Sequence, residues 1–169
     1  TASTIADNTA PDGAALGLEF LPNVVVRGSL LSGDGRDCNL AVDASGYTLD
    51  SDGSCDLNSP TDLPLQSPLL HPLGNNGGLT PTRLPAANSP ALNVIPAGTA
   101  GLCDASATDQ RGQPRPAGPA CDLGAVEGSG APIAALTLVV DTAADGSDTA
   151  PGNGVCATAT GGCTLRAAI

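Results

Sequence analysis

The chain of 169 residues carries a net charge of −11 and contains one Phe, one Tyr and no Trp. With six Arg and no Lys, it lacks the basic surface and the stacking aromatic side chains on which nucleic-acid binding depends. The sequence also lacks the apolar run of about 18 residues that a membrane-spanning helix requires.

The first sixty residues predict a series of short β-strands. Apolar runs of strand length alternate with Gly, Asn and Asp, and lie at 3–8, 15–20, 23–34, 38–42 and 46–53. The motif GSLLSGDG, which begins at residue 28, echoes STIADNTA, which begins at residue 3, so the offset is about 25 residues. Short strands at this spacing, with turns too brief for crossover helices, predict an all-β fold, a right-handed parallel β-helix or solenoid. A β-sandwich, which also has many short strands, is the alternative.

Six cysteines in three neighbouring pairs predict a disulfide-stapled chain. The sequence has no CxxC motif and a single His, which argues against a zinc site. Disulfides persist in oxidising compartments, so we expect an extracellular, periplasmic or cell-surface protein. Proximity in the sequence favours the pairings Cys38 with Cys55, Cys103 with Cys121, and Cys156 with Cys163.

Residues 58–128 predict a long proline-rich loop region. Seven Pro lie between positions 58 and 94, and no strand alternation accompanies them. We expect this region to be ordered, to lie along the solenoid and to be held by the Cys103–Cys121 loop.

The residues after 132 predict the start of a new module. The strongest predicted strand covers 133–145. We expect its Ile133–Asp141 part, with Leu136, Leu138 and Val140 as the assembly residues, or else the C-terminal cap, to be donated to a neighbouring copy. The final residues, CTLRAAI, are typical of the first turn of a helix, and no second turn follows. Because the chain also has no Met, we expect it to be a piece of something longer. The predicted parts are 1–128, a linker at 129–132, and a short cap segment at 133–169.

Four motifs, in order, resemble the choice-of-anchor Q domain, the closing region of a right-handed parallel β-helix in surface proteins. They are GYTLDSDGSCDL (46–57), PLLHPLGNNGGLTPTRLPAANSPALN (68–93), DQRGQPRP (109–116) and CDLGAVE (121–127). The resemblance covers roughly residues 23–127 and implies a β-helix that is normally followed by a sorting or anchoring signal.

The C-terminal stretch VCATATGGCTLRAAI (155–169) resembles the CSLREA domain of bacterial surface proteins, which caps the N-terminus of a parallel β-helix. The motif runs from Cys163 to Ala168 and departs from the family pattern at its second and fifth positions, where Thr164 and Ala167 stand. The two resemblances together imply tandem β-helices, with the tail of one solenoid followed by the head of the next.

Asp109 with Arg111 or Arg115 is a candidate acid and substrate clamp, the arrangement that polysaccharide lyases use. Two Pro and one Gly place these residues on a loop, so we predict a loop brace that satisfies buried carbonyls. His71 is the sole imidazole in the sequence, and no Ser or Cys nucleophile elbow lies near it along the chain, so we expect a packing or surface role.

Two groups of acidic residues are candidate cation ligands. Both interleave with Gly or Ser, which is typical of Asx turns, and neither has the spacing of an EF-hand. Calcium at the second group is the one cofactor considered; otherwise none is expected. The groups are Asp50, Asp52 and Asp56, and Asp141, Asp145 and Asp148.

The sequence therefore favours a non-enzymatic structural module of a secreted or cell-surface repeat protein, forming rods, head-to-tail fibres or adhesin stalks. The expected partners are copies of the chain itself or further β-helix modules of the same polypeptide. One alternative is a fragment of a carbohydrate-active enzyme, which requires two acids and an Arg converging on one strand face. Another is a glycan- or calcium-binding module.

Overall fold

The computed structural model describes residues 1–18, 24–128, 140–147, 149 and 157–168. The chain divides into two compact units, Thr1–Ile133 and Ala134–Ile169. Nearly all of the regular structure is β-strand, and none of the described helices is long and apolar enough to cross a membrane. The elements are β1 (Thr4–Leu16), β2 (Val25–Val26), β3 (Leu30–Cys38), β4 (Asp43–Ala44), β5 (Leu49–Asp50), β6 (Leu63–Pro64), β7 (Ile95–Pro96), β8 (Ala120–Cys121) and α1 (Leu165–Ala168).

The main sheet of the first unit is entirely parallel, in the order β1-β3-β5-β6. Thr4 pairs with Leu30, Leu30 with Leu49, and Leu49 with Leu63, so successive strands are offset by 26, 19 and 14 residues. The sequence echo predicts an offset of about 25 residues, which differs by one residue from the offset of 26 between β1 and β3.

A second parallel sheet pairs β2 with β4, through Val25 with Asp43 and Val26 with Ala44. The chain thus alternates between the two sheets, because β2 follows β1, and β4 lies between β3 and β5. The connections are too short to hold the crossover helix that parallel neighbours ordinarily need.

The first strand is longer than the sequence predicts. The runs 3–8 and 15–20 were expected to be separate strands, but Thr4–Leu16 forms a single strand of 13 residues. Its register with β3 shifts three times after Ala6, which places extra residues in β1 as bulges. Pairing with β3 has overridden the local turn signals of this stretch.

The main sheet is buried on both faces where β3 begins and at β5, because the consecutive residues Leu30 and Leu31, and Leu49 and Asp50, point to opposite faces and are all buried. On one face, Leu31 packs with Val26 and Val42, and this cluster lies with the residues of the second sheet. On the other face, Leu30 and Leu49 pack in a cluster that also contains Ala91, Ile95, Leu102 and Leu123.

Two disulfides have the partners that proximity favoured. Cys38–Cys55 belongs to the cluster around Leu31, and Cys103–Cys121 belongs to the cluster around Leu30. The third predicted pairing involves Cys156, which lies outside the described residues.

The proline-rich region is ordered largely by turns and single pairings. Its strand β6 extends the main sheet beside β5, its strands β7 and β8 pair in antiparallel fashion, and isolated bridges link Leu70 with Pro85 and Gly74 with Thr82. The backbone N–H of Gly124 donates to the carbonyl of Gly28 at 2.8 Å, and that of Leu123 donates to Ala91 at 2.8 Å. The first of these bonds joins the region to the residues just before β3, and the second lies within the region itself.

Gly124 is the point of closest approach in this packing. It has φ of +87°, and a Cβ there would lie 2.5 Å from Thr4 Oγ1 and 2.9 Å from Leu30 Cδ1. We expect Gly124→Ala to lower the free energy of unfolding by about 2–3 kcal/mol, measured by urea unfolding, since overpacking adds to the cost of positive φ. Gly98→Ala is the matched control, because Gly98 has φ of +86° with no atom within 4 Å. Equal losses for the two variants would contradict this packing.

In the second unit, α1 occupies the position where the sequence predicts a first helical turn. The predicted strand at 133–145 is not seen among the described residues of this segment. Residues 133–139, which include Leu136 and Leu138, lie outside the described residues, and 140–145 are not in a strand. Val140 and the residues that follow it therefore do not form a strand in this structure, and donation of the segment to a second copy stays a prediction.

Candidate functional site

The residues predicted as a loop brace lie together in a network of charged side chains. The Arg111 guanidinium donates from Nε and Nη2 to Asp109 Oδ2 at 2.9 and 2.7 Å. Asp109 Oδ2 also accepts the backbone N–H of Glu127 at 3.1 Å, and Asp109 Oδ1 accepts those of Arg111 and Gln113. Burial acts to raise the pKa of Asp109, but these donors outweigh it and hold the pKa below its ordinary value.

Arg115 and Glu127 form a buried ion pair beside the first. Their side chains are 3% and 1% exposed, and Arg115 Nε lies 2.7 Å from Glu127 Oε1. Arg115 Nη2 donates to the carbonyl of Asp122, and the backbone N–H of Asp122 donates to Glu127 Oε1 at 3.0 Å. The remaining oxygen, Glu127 Oε2, accepts the backbone N–H of Ala117 at 2.9 Å.

Asp122 completes the network and is itself buried. Its Oδ1 accepts the backbone N–H of Asn93 at 2.7 Å, and its Oδ2 accepts that of Gly128. Burial raises the pKa of Asp122 despite these two bonds, and the nearby Glu127 carboxylate adds to the increase.

The chemistry of this network is that of a structural clamp. Each carboxylate oxygen of Asp109, Asp122 and Glu127 accepts a hydrogen bond from nitrogen, and the donors come from residues 93, 111–117 and 122–128. Oxygens held in this way are poorly placed to transfer protons to a substrate. The sequence pattern identified Asp109, Arg111 and Arg115 but not Asp122 and Glu127, although both lie in the CDLGAVE motif.

A second cluster brings together Asp37, Asp50 and Asp52, with one oxygen of each within 4.8 Å of the others. The sequence grouped Asp56 with Asp50 and Asp52, but the fold brings in Asp37 from the neighbouring strand, since Asp50 lies in β5 opposite Leu31 of β3. Three carboxylates at this spacing are a geometry that a divalent cation could use.

Donors of the protein itself occupy the oxygens of this cluster. Asp37 accepts the backbone N–H of Gly33 and both N–H and Oγ–H of Ser51. Asp50 accepts the N–H of Cys55 at 2.9 Å, and Asp52 accepts that of Asp37 at 3.2 Å. The cluster is thus a set of side-chain-to-backbone bonds that joins β3 to the turn after β5.

Burial raises the pKa of Asp50 to about 6, and the hydrogen bonds that place it beside Asp37 and Asp52 contribute to the rise. The folded protein therefore holds this proton more tightly than the unfolded chain, whose value is 3.8. The stability that this proton contributes is present at low pH and is lost as the pH rises through about 6.

We expect Asp50→Asn to be more stable than the parent chain at pH 7.5, by about 1–2 kcal/mol, because the amide mimics the protonated carboxyl. At pH 4 the two proteins should differ little. Urea unfolding at both pH values measures the difference. Asp56→Asn is the control, since Asp56 is exposed and lies outside the cluster. A parent chain that is as stable as Asp50→Asn at pH 7.5 would contradict the assignment.

In the second unit, Asp141 and Asp145, two of the candidate calcium ligands, accept hydrogen bonds from groups of the protein itself. Asp145 binds the Arg166 guanidinium at 2.5 and 3.0 Å, which lowers the pKa of Asp145. Asp141 accepts the backbone N–H of Cys163 at 2.8 Å, and Asp148 lies outside the described residues. Thr164 donates to the carbonyl of Gly146, so these bonds link α1 to the 141–146 loop.

A groove of about 360 Å³ lies beside β1 in the first unit. Thr4, Ala6 and Asp7 contribute from β1, and Arg83, which is bonded to Asp7, contributes from the proline-rich region. His71 lies outside the residues that line it; the backbone N–H of His71 donates to the carbonyl of Leu84.

No protein-family model, curated protein or solved structure matches this chain.

Proposed function

We propose that the chain is a non-enzymatic structural module of a secreted or cell-surface repeat protein, built as coils of a right-handed parallel β-helix. The observation that carries the proposal is the alternation of the chain between two parallel sheets through short connections. Each passage through both sheets corresponds to one coil, and stacked coils share a narrow core.

The buried side chains support this proposal. The cluster around Leu31 unites the main sheet with β2 and the 38–42 segment, as the interior of a coil does. The proline-rich region covers the opposite face through Ile95 and Leu123, in the manner of an excursion along a solenoid. The motif order that resembles a choice-of-anchor Q domain, followed by a CSLREA-like segment, agrees with tandem β-helices.

The network around Arg115 supports a structural role over a catalytic one. A glycosidase or lyase needs carboxyl groups that face a substrate cleft, whereas the carboxyl groups of Asp122 and Glu127 are buried. The two disulfides agree with an oxidising compartment, from which we propose an extracellular or surface location. We propose that further copies or modules are its partners, through head-to-tail contact.

Two assays on the purified chain test this function. Negative-stain microscopy should show rods or fibres that are larger than a single folded chain, whose mass is 16.3 kDa. Incubation with acidic polysaccharides should yield no unsaturated or shortened product. Uniform compact monomers in the first assay, or turnover in the second, would overturn the proposal.

A further inference from the structure

The first strand presents one open side. Among the described residues, β1 pairs with β3 alone and stands at the edge of the main sheet. The carbonyl of Ser3 accepts the backbone N–H of Leu30 at 2.8 Å, so Ser3 faces β3. Because the backbone groups of successive strand residues point to opposite sides, those of Thr4 and Ala6 are directed away from β3.

The groove of about 360 Å³ lies beside these two residues, where the backbone N–H of Ala125 also donates to Thr4 Oγ1 at 3.0 Å. Thr4 and Ala6 form its β1 wall, while Thr82 and Val126 lie on the wall contributed by the proline-rich region. A strand that pairs with β1 here would therefore also contact the proline-rich region.

The groove also continues a column of leucines. Leu30, Leu49 and Leu63 stand in register with Thr4 across the sheet. A Cβ on Gly124 would approach both Thr4 Oγ1 and Leu30 Cδ1, so Thr4 faces the same side as Leu30. A strand added to β1 therefore places one apolar side chain in the groove, as the next member of this column.

We propose that the edge of β1 and this groove accept residues 133–140 of a second copy of the chain as an added strand. The inference rests on the proposed function, in which copies join head to tail, and it names the surface that receives the donated segment. Of that segment, Val140 is described and is 43% exposed.

Charge and the absence of proline together favour this occupant. Residues 133–140, IAALTLVV, carry no charge in a chain of net charge −11, and they lack the prolines that interrupt the longer uncharged stretches 63–82 and 84–103. The groove is compatible with a neutral strand, because Asp7 and Arg83 on its walls neutralise each other. Leu136, Leu138 and Val140 alternate in the segment, so a strand places all three on one side.

The regular part of the edge is short. Thr4, Ile5 and Ala6 pair with β3 in unbroken register, and the bulges begin after Ala6. Bulges blunt a sheet edge against pairing, so the added strand bonds over a few residues only. Specificity must then come from the side chain in the groove, as in other cases of β-strand addition.

A labelled peptide tests the proposal. A fluorescein-labelled peptide of residues 132–142 is titrated with the full chain, and binding is followed by fluorescence anisotropy. We expect saturable binding that Ala6→Pro weakens about tenfold or more, because Pro removes an outward N–H and obstructs pairing. Ala97→Pro is the control, since Ala97 is exposed and lies far along the chain from β1.

A second measurement needs no variant of the protein. In the NMR spectrum of the parent chain, the peptide should shift the amides of Thr4–Ala6 and the residues across the groove. The same peptide with Leu138→Asp should bind about tenfold more weakly, because a charge would enter the groove. The proposal is overturned if the peptide does not bind, if it shifts amides elsewhere, or if it is indifferent to Leu138→Asp.

The results separate this inference from the proposed function. If Ala6→Pro still forms fibres, the structural function stands and β1 is not the acceptor strand. If the parent chain stays monomeric but binds the peptide at β1, the acceptor site stands and the proposed assembly into fibres is contradicted. The alternative occupant of the edge of β1 is a preceding coil of a longer parent chain. In that case the peptide should bind this chain but should not bind the longer protein, in which the coil already covers the site.

Discussion

Replacement of Arg115 by Met is expected to lower the free energy of unfolding by about 3–5 kcal/mol, because it leaves the Glu127 carboxylate buried without its partner. The two side chains are 3% and 1% exposed, so solvent cannot substitute for the lost guanidinium. Met keeps much of the side-chain volume, which confines the change to charge and hydrogen bonds. Urea unfolding followed by far-ultraviolet circular dichroism measures the loss.

Arg36→Met provides the matched control. Arg36 pairs with Asp12 at 3.1 Å, but the two side chains are 54% and 53% exposed. An exposed ion pair contributes about 1 kcal/mol or less, so the control should change little. The double variant Arg115→Met with Glu127→Gln should recover part of the stability, because the buried charge is then removed. Equal losses for Arg115→Met and Arg36→Met would show that the network does not stabilise the fold.

Removal of the Cys103–Cys121 disulfide is expected to cost about 3–4 kcal/mol. The bond joins positions 18 residues apart, and both cysteines are buried in the cluster that contains Leu30 and Ile95. Opening the loop restores entropy to the unfolded chain. The loop also carries Asp109 and Arg115, so its release should weaken their network. The variant Cys103→Ala with Cys121→Ala is compared with the parent chain by urea unfolding.

The Cys38–Cys55 disulfide serves as the control. Its removal shows how much stability is lost with any cross-link of this length, apart from the effect on the loop that carries Asp109 and Arg115. Cys38→Ala with Cys55→Ala opens a separation of 17 residues, nearly the same, in the cluster around Leu31. It should lower stability by a similar amount and leave hydrogen exchange of the Asp122 and Glu127 amides unchanged. Only the Cys103 and Cys121 variant should speed exchange at those amides. Unchanged exchange there, with a stability loss below about 1 kcal/mol, would contradict the prediction.

Local patterns predicted the features that depend on neighbours in the sequence. The two disulfides span 17 and 18 residues, and proximity was enough to pair them. The repeated small and apolar residues around Leu30 and Leu49 indicated short strands, and the structure places those strands in parallel register. The β-helix itself remains a proposal built on that arrangement.

Features that depend on distant contacts escaped the sequence patterns. β1 runs through residues that resemble a turn, because pairing with its partner β3 continues, across bulges, as far as Leu16. Asp37 joins Asp50 and Asp52 through strand register, whereas Asp56 is closer in sequence and remains exposed. Glu127 carries no local signal of burial, and its partner Arg115 lies twelve residues away.

Diffraction from oriented material of the assembled protein tests the central claim, which is that parallel β-coils stack into a structural rod. Stacked coils place their strands across the long axis, so a reflection near 4.8 Å should lie along that axis. Absence of that axial spacing from ordered assemblies, or its appearance across the axis, would contradict the stacked-coil account.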